Sequence, residues 1–216
     1  MIGVSVMSGC PVKCPFCATG ALKRWRNLTA EEIFEQVQFI VDNNKNKFLP
    51  ENAKEFRVLF TRMGEPVLNR DEVIRAISFV KEKWPNATIA VSTVGPKAGT
   101  QDFFEKLKKL NKKFGGDFIQ LQFSVHSTDE SQRDFLQPIL KFTLEEITAF
   151  ADDWEKQSAR KLTLNFTLCG DNEFSAEKIH SLFPRKNVFL KLSPLNDNLT
   201  SRKNGLTGII SAKNLA

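Results

Sequence analysis

The sequence predicts an α/β fold whose parallel sheet curls into a partial, open barrel. Three observations predict it. Short apolar runs alternate with longer stretches of helical periodicity, the mark of βα units. Six such units are visible, fewer than the eight that close a (β/α)8 barrel, so a β6/α6-like TIM barrel left open is the architecture that fits. No internal repeat, low-complexity tract or linker divides the 216 residues, and 41% hydrophobic with 26% charged content is ordinary for one sizeable domain.

The elements follow in order. Ile2–Met7 is the first strand candidate and runs into GCPVKCPFCATG. Thr29 with Glu32 three residues on forms a capping box ahead of the stripe Ile33, Phe34, Val37, Ile40 and Val41. Phe56–Thr61 is the second strand, followed by a helix that Asp71 opens, with Val73, Ile74, Ile77 and Val80 inward and Pro85 beyond its end. Thr88–Ser92 is the third strand, and Phe103, Phe104, Leu107, Leu110 and Phe114 mark the next helix. Phe118–Ser124 is the fourth; Thr143 then caps a helix over Leu144–Lys156. Leu162–Leu168 and Val188–Leu192 complete the strands, with a short helix between them that Ser175 caps and Pro184 ends. Right-handed crossovers connect such units. The stretch after Asn196 is polar and rich in Gly, Asn and Ser, which divides the chain into a core domain, 1–196, and a poorly ordered polar tail, 197–216.

Bulk properties exclude some classes. No apolar run approaches the roughly 18 residues of a membrane helix, so no membrane partner is expected. MIGVSVMSGC lacks the basic start and cleavage site of a signal peptide, which places the cysteines in a reducing cytoplasm, where clustered thiols more often hold metal than pair. The net charge of +6 and pI near 9.2 suit phosphate-rich partners without specifying one. The pairs Lys108–Lys109 and Lys112–Lys113 read more simply as the solvated face of a helix than as a nucleic-acid stripe.

Cys10, Cys14 and Cys17 carry the chemistry. A structural zinc site takes four ligands, usually as two close pairs, and the remaining cysteine, Cys169, is far along the chain. Three cysteines on one loop suit a [4Fe–4S] cluster with one iron open for another ligand. Zinc completed by a distant residue, or three unrelated thiols, are the alternatives. Other polar motifs fall at strand ends, where a barrel places its active site: Gly64-Glu65-Pro66, Ser92-Thr93-Val94-Gly95, Ser124-Val125-His126-Ser127 and Ser193-Pro194-Leu195-Asn196. Glu65 offers a carboxylate for an ammonium group; a plain turn closed by proline is the other reading. His126 is either a site residue or a satisfied packing residue, and His180, inside a short helix, reads as structural or exposed. Cys169, at the end of the fifth strand, reads as a buried, inert thiol.

The C-x3-C-x2-C spacing with Phe16 before the last cysteine resembles the signature of the radical S-adenosylmethionine (SAM) enzymes. Further segments bring the resemblance closer: CATGALKRWRNLTAEEIFEQV, MGEPVLN, VSTVG, SVHSTDESQRDFLQPI and LSPLN are similar to the RNA adenine C2/C8 methyltransferase family (the RlmN/Cfr type), from Gly9 to Asn196. The resemblance implies a radical SAM core with Cys10, Cys14 and Cys17 as cluster ligands. It implies a SAM site made by Gly64, Glu65, Ser92, Ser124, Val125, His126 and Asn196, and an electron donor such as flavodoxin or ferredoxin. The family uses two further cysteines, one in a C-terminal segment and one seven residues before the cluster. The second position is Gly3 here, and no cysteine follows Cys169. Leu140 also departs, standing where the family usually has asparagine. The expectation is therefore an enzyme that cleaves SAM reductively and abstracts hydrogen from a substrate the sequence does not name, RNA methylation being disfavoured. RNA remains a candidate substrate, through the basic surface and Lys23, Arg24 and Arg26. A non-catalytic, metal-bearing RNA-binding module is the contrasting class.

Overall fold

A computed structural model describes residues 1–170, 172–183 and 188–209. Its main sheet holds β1 (Ile2–Val4), β4 (Phe56–Phe60), β5 (Ala87–Thr93), β6 (Ile119–Ser124), β7 (Leu162–Leu168) and β8 (Val188–Pro194), in that spatial order and all parallel. Among the described residues β1 and β8 pair on one side only, so the barrel is open as expected. The first run, expected as one strand over Ile2–Met7, is broken after Val4. The Val6 and Met7 N–H groups both donate to the Met63 carbonyl, at 2.8 and 3.1 Å, which pulls the chain out of the sheet. Met7–Ser8 then forms β2, paired antiparallel with β3 (Arg26–Asn27), and this ribbon carries the cysteine loop at its tip.

Helices pack the convex face. They are α1 (Ala30–Asp42), α2 (Arg70–Lys83), α3 (Thr100–Lys113), α4 (Glu130–Leu136), α5 (Leu144–Glu155) and α6 (Ala176–Leu182), while α7 (Leu199–Lys203) lies against the cysteine loop. The expected capping box forms at Thr29, and the Thr143 cap is a second one: the Thr29 and Thr143 hydroxyls accept the Glu32 and Glu146 N–H groups, and both glutamates reach back. Two helices are not evident from periodicity. α4 is a short turn capped by Asp129, and α7 lies in the stretch expected to be a poorly ordered tail. Residues 210–216, and the Pro184 expected to end α6, lie outside the described residues.

Along β4, β5 and β6 every second side chain is buried and the intervening ones are half-exposed. Val58, Phe60, Ile89, Val91, Leu121 and Phe123 meet Ile33, Val37, Ile77, Phe104, Leu107 and Trp154 of the helices, each worth roughly 1.5–3 kcal/mol when fully covered. Part of the phenylalanine excess collects here: the Phe104 and Phe150 rings lie 3.9 Å apart by centroid, with Phe123 edge-on to both. Lys108 differs from the solvated face expected of it. It is buried and paired with Asp153 of α5 at 2.6 Å. A parallel sheet is usually covered on both faces; these helices cover one. The alternate residues, among them Ser92, Gln120, Gln122, Ser124, Thr163 and Asn165, line an uncovered concave wall.

Candidate functional site

That wall encloses an open cavity of about 1380 Å³. It lies in the mouth of the half-barrel, where loops following parallel strands place functional groups. Of the residues singled out from the sequence it gathers Cys17, Ser92, Ser124 and Asn196, together with Phe16 of the cysteine loop. Cys10, Cys14, Gly64, Glu65, Val125 and His126 do not line it. Cys169 is buried, its Sγ 3.8 Å from the Thr167 carbonyl, and His180 is exposed.

The cysteine loop is folded on itself and held from outside. The Cys17 N–H donates to the Cys14 carbonyl and the Gly20 N–H to the Cys17 carbonyl, both at 3.0 Å. The Asn198 and Asn204 side-chain amides donate to the Phe16 and Pro15 carbonyls, both at 3.0 Å. Asn198 also caps α7, accepting from the Thr200 and Ser201 N–H groups. One asparagine thus fixes the helix and ties it to the loop. Periodicity gives no hint of this, because the partners lie at opposite ends of the chain.

Burial pushes the Cys10 thiol up to about 11, with the charges of Glu65 and Cys17 adding to it. Cys14 is held well above the usual thiol range by burial, then by the other two thiols. Such thiols give up their protons only to a centre that supplies positive charge. Among the described residues no three His, Cys, Asp or Glu side chains converge to hold a single metal ion.

Glu65 joins two strand-end motifs. Its Oε1 accepts from the Val67 N–H at 3.1 Å and from the Thr93 hydroxyl, and its Oε2 from the Val94 N–H at 2.9 Å. The carboxyl is 3% exposed and forms no ion pair among the described residues; burial, outweighing these hydrogen bonds, raises it to about 7. On the wall, Gln122 Nε2 donates to the Ser92 hydroxyl at 2.9 Å, and the Ser92 and Ser124 hydroxyls lie 3.2 Å apart. His126 is buried with φ of 68°. Its Nδ1 accepts the Thr167 N–H at 3.0 Å and its ring meets Phe16 edge-on at 4.8 Å. Burial, then the charge of Arg133, lowers it to about 3. The neutral ring is a strut between the loop and β7.

These shifts act on stability in opposite senses. The depressed His126 contributes stability present above its ordinary value of 6.5 and lost as pH falls towards about 3. The raised Glu65 contributes stability present below 4.5 and lost as pH rises through about 7. Between those limits the two slopes oppose each other. Glu65→Gln removes one, so the stability of the variant relative to the parent should rise with pH by up to about 1.4 kcal/mol per unit between 4.5 and 7. Urea midpoints at pH 5, 6 and 7 measure it; a constant difference would show that Glu65 titrates normally.

Sequence reasoning missed Arg62, Gln122, Asn165, Lys191 and Asn198, all lining the cavity, and named Gly3, which lines it too, only as the position without the family's thiol. The polar alternation within the strand runs was the available signal for Gln122 and Asn165. Lys23 and Arg24 are exposed as a basic surface requires, but Arg26 is held by both carboxylate oxygens of Glu32.

Comparison with known proteins agrees with this arrangement. The chain is 32% identical over 206 residues to the probable dual-specificity RNA methyltransferase RlmN of Pseudothermotoga lettingae, covering 92% of this chain and 55% of that protein. It is 33% identical over 201 residues to the corresponding protein of Heliobacterium modesticaldum, covering 89% and 49%. It therefore spans about half the length of these relatives. Among solved structures, Streptococcus suis SuiB bound to S-adenosylmethionine superposes with a TM-score of 0.63 at 14% identity, over 92% of this chain and 41% of that one. A spore photoproduct lyase mutant with bound AdoMet and dinucleoside spore photoproduct gives 0.59 at 13%, over 97% and 62%. Both share the fold. Among the described residues no helix is long and apolar enough to cross a membrane. The profile of the radical SAM superfamily matches residues 4–182. With most of its length matched in this way, the chain belongs to the radical SAM superfamily, whose enzymes use a [4Fe–4S] cluster and SAM.

Proposed function

We propose that this chain is the core of an enzyme that cleaves SAM reductively and uses the product to abstract hydrogen from a substrate bound in the concave cavity. The observation that carries the proposal is the meeting of Cys17, Ser92, Ser124 and Asn196 at one cavity mouth, with Glu65 bound to Val94 at the end of the strand that carries Ser92. Cys10, Cys14 and Cys17 would hold the cluster. Gly64, Glu65, Ser92, Ser124, Val125, His126 and Asn196 would form the SAM site. When bound and reduced by a donor such as flavodoxin or ferredoxin, the cluster supplies the electron that splits SAM into methionine and a 5′-deoxyadenosyl radical.

The residues present fit these groups. Glu65 is a buried carboxylate with no cationic partner among the described residues, and an ammonium beside it would restore the ionised form that burial disfavours. The hydroxyls of Ser92 and Ser124, oriented by Gln122, present donors and acceptors along the wall. Phe16, wedged against His126 and fastened by Asn198, holds the last cysteine towards the cavity.

The name of the relatives favours a second reading, RNA methylation. Gly3 speaks against it, because the position seven residues before Cys10 has no thiol. Anaerobically reconstituted protein should carry about four irons per chain and release 5′-deoxyadenosine from SAM after reduction. A colourless protein with one zinc and no SAM cleavage would overturn the proposal. Digested RNA from expressing cells should lack added 2- or 8-methyladenosine; finding either would establish the second reading.

A further inference from the structure

Gly3 lies on the cavity side of β1, and the side chain that takes the space above it is Arg62. A Cβ at position 3 would stand 2.4 Å from Arg62 Nε and 3.1 and 3.2 Å from its Cγ and Cδ. Arg62 follows β4, anchored by its N–H to the Val4 carbonyl at 3.2 Å, so its stem must cross the end of β1. The lack of a side chain at position 3 and the arginine at position 62 form one steric unit, which sets a guanidinium where a side chain from β1 would otherwise project.

That guanidinium forms no ion pair among the described residues, although sixteen such pairs occur elsewhere in them. Arg57, Lys161 and Lys191 also line the cavity, and among the described residues no aspartate or glutamate does. Arg57 is paired with Glu55 outside the cavity; Lys191 sits on β8 in register with Asn165, which pairs with Ser124. A concave wall with cations and no carboxylate draws anions in. The planar guanidinium fork matches a carboxylate or a phosphate with two parallel hydrogen bonds. An arginine stem merely covering a glycine is the simpler account, but it explains neither the lack of a carboxylate nor the second cation on the facing strand.

We propose that Arg62 is a substrate-binding residue, its guanidinium taking a phosphate or carboxylate group of the substrate in the concave cavity, with Lys191 adding positive charge from β8. The assignment rests on the reading of that cavity as the substrate site.

The test uses reconstituted protein and two anions, pyrophosphate for the phosphate arm and malonate for the carboxylate arm, titrated calorimetrically, with SAM affinity measured in parallel. At least one anion should bind. Arg62→Gln should weaken it at least tenfold more than it weakens SAM, Arg62→Lys should retain part of the affinity, and Lys109→Gln, on the outer face of α3, should leave it unchanged. Preference between pyrophosphate and malonate names the group. Failure of both anions to bind, equal loss in Lys109→Gln, or a loss of SAM affinity as large as that of the anion would each overturn the assignment. If the parent protein fails to cleave SAM yet shows the Arg62-dependent anion site, the functional reading fails and the anion site stands.

Discussion

Replacing any one of Cys10, Cys14 and Cys17 with alanine is expected to bring iron content from about four per chain towards zero and SAM cleavage to background. Among the described residues there is no spare ligand. Cys169 is buried at the end of β7, and among the described residues outside the loop no three His, Cys, Asp or Glu side chains gather to hold a metal. Cys169→Ala, by the same argument, should leave iron and turnover unchanged. Loss of iron in the loop variants should not come from unfolding. The three thiols are half-buried, and Cys10 and Cys14 are held in the protonated form by burial, so exchanging one for a methyl group should change stability by no more than about 1 kcal/mol. Iron analysis and urea midpoints on the same preparations separate the two effects. A variant that keeps both its iron and its turnover would remove that cysteine from the ligand set.

How much of this was legible in the sequence depends on the range over which each feature is encoded. The capping box at Thr29 and the cap at Thr143 are local, and both stand where the sequence placed them. The strands after the first fell within a residue or two of their apolar runs; burial against helices selects those residues in β4 to β7, while β8 is mostly exposed and holds its place by pairing with β7. The break after Val4 was not legible, since its cause is the Met63 carbonyl on another strand end. The concave wall was half-legible. Gln120 and Gln122 interrupt an apolar run at every second place, which in a parallel strand marks a face that helices leave uncovered. α7 was hidden because a short polar helix is specified by its cap and by two bonds to Pro15 and Phe16, not by an apolar stripe. The pairing of Gly3 with Arg62 is purely steric and exists only in the folded chain.

Gly64→Ala is expected to be among the most destabilising single-methyl additions in the protein, and it should cost cluster loading as well. Two independent penalties act at this position. Its φ of 102° lies where a residue with a Cβ is strained, at about 1–3 kcal/mol. The added Cβ would also stand 2.6 Å from Met7 Cβ, 2.7 Å from its Cγ and 2.8 Å from its backbone nitrogen. Met7 has no room to retreat: its side chain is fully buried and its N–H is bound to the Met63 carbonyl. Gly115 isolates the first penalty, with a similar φ of 98° and nothing within 4 Å of its would-be Cβ. Gly115→Ala should therefore cost the conformational amount alone, and Gly64→Ala should exceed it by about 2 kcal/mol or more. The excess falls on the joint between β2 and the Glu65 turn. A shift of Met7 there moves Ser8 and Gly9, and with them the start of the cysteine loop, so iron content should fall in Gly64→Ala and stay at the parent level in Gly115→Ala. Equal unfolding costs for the two variants would mean that Met7 yields freely. The close approach at Gly64 would then play no part in positioning the loop.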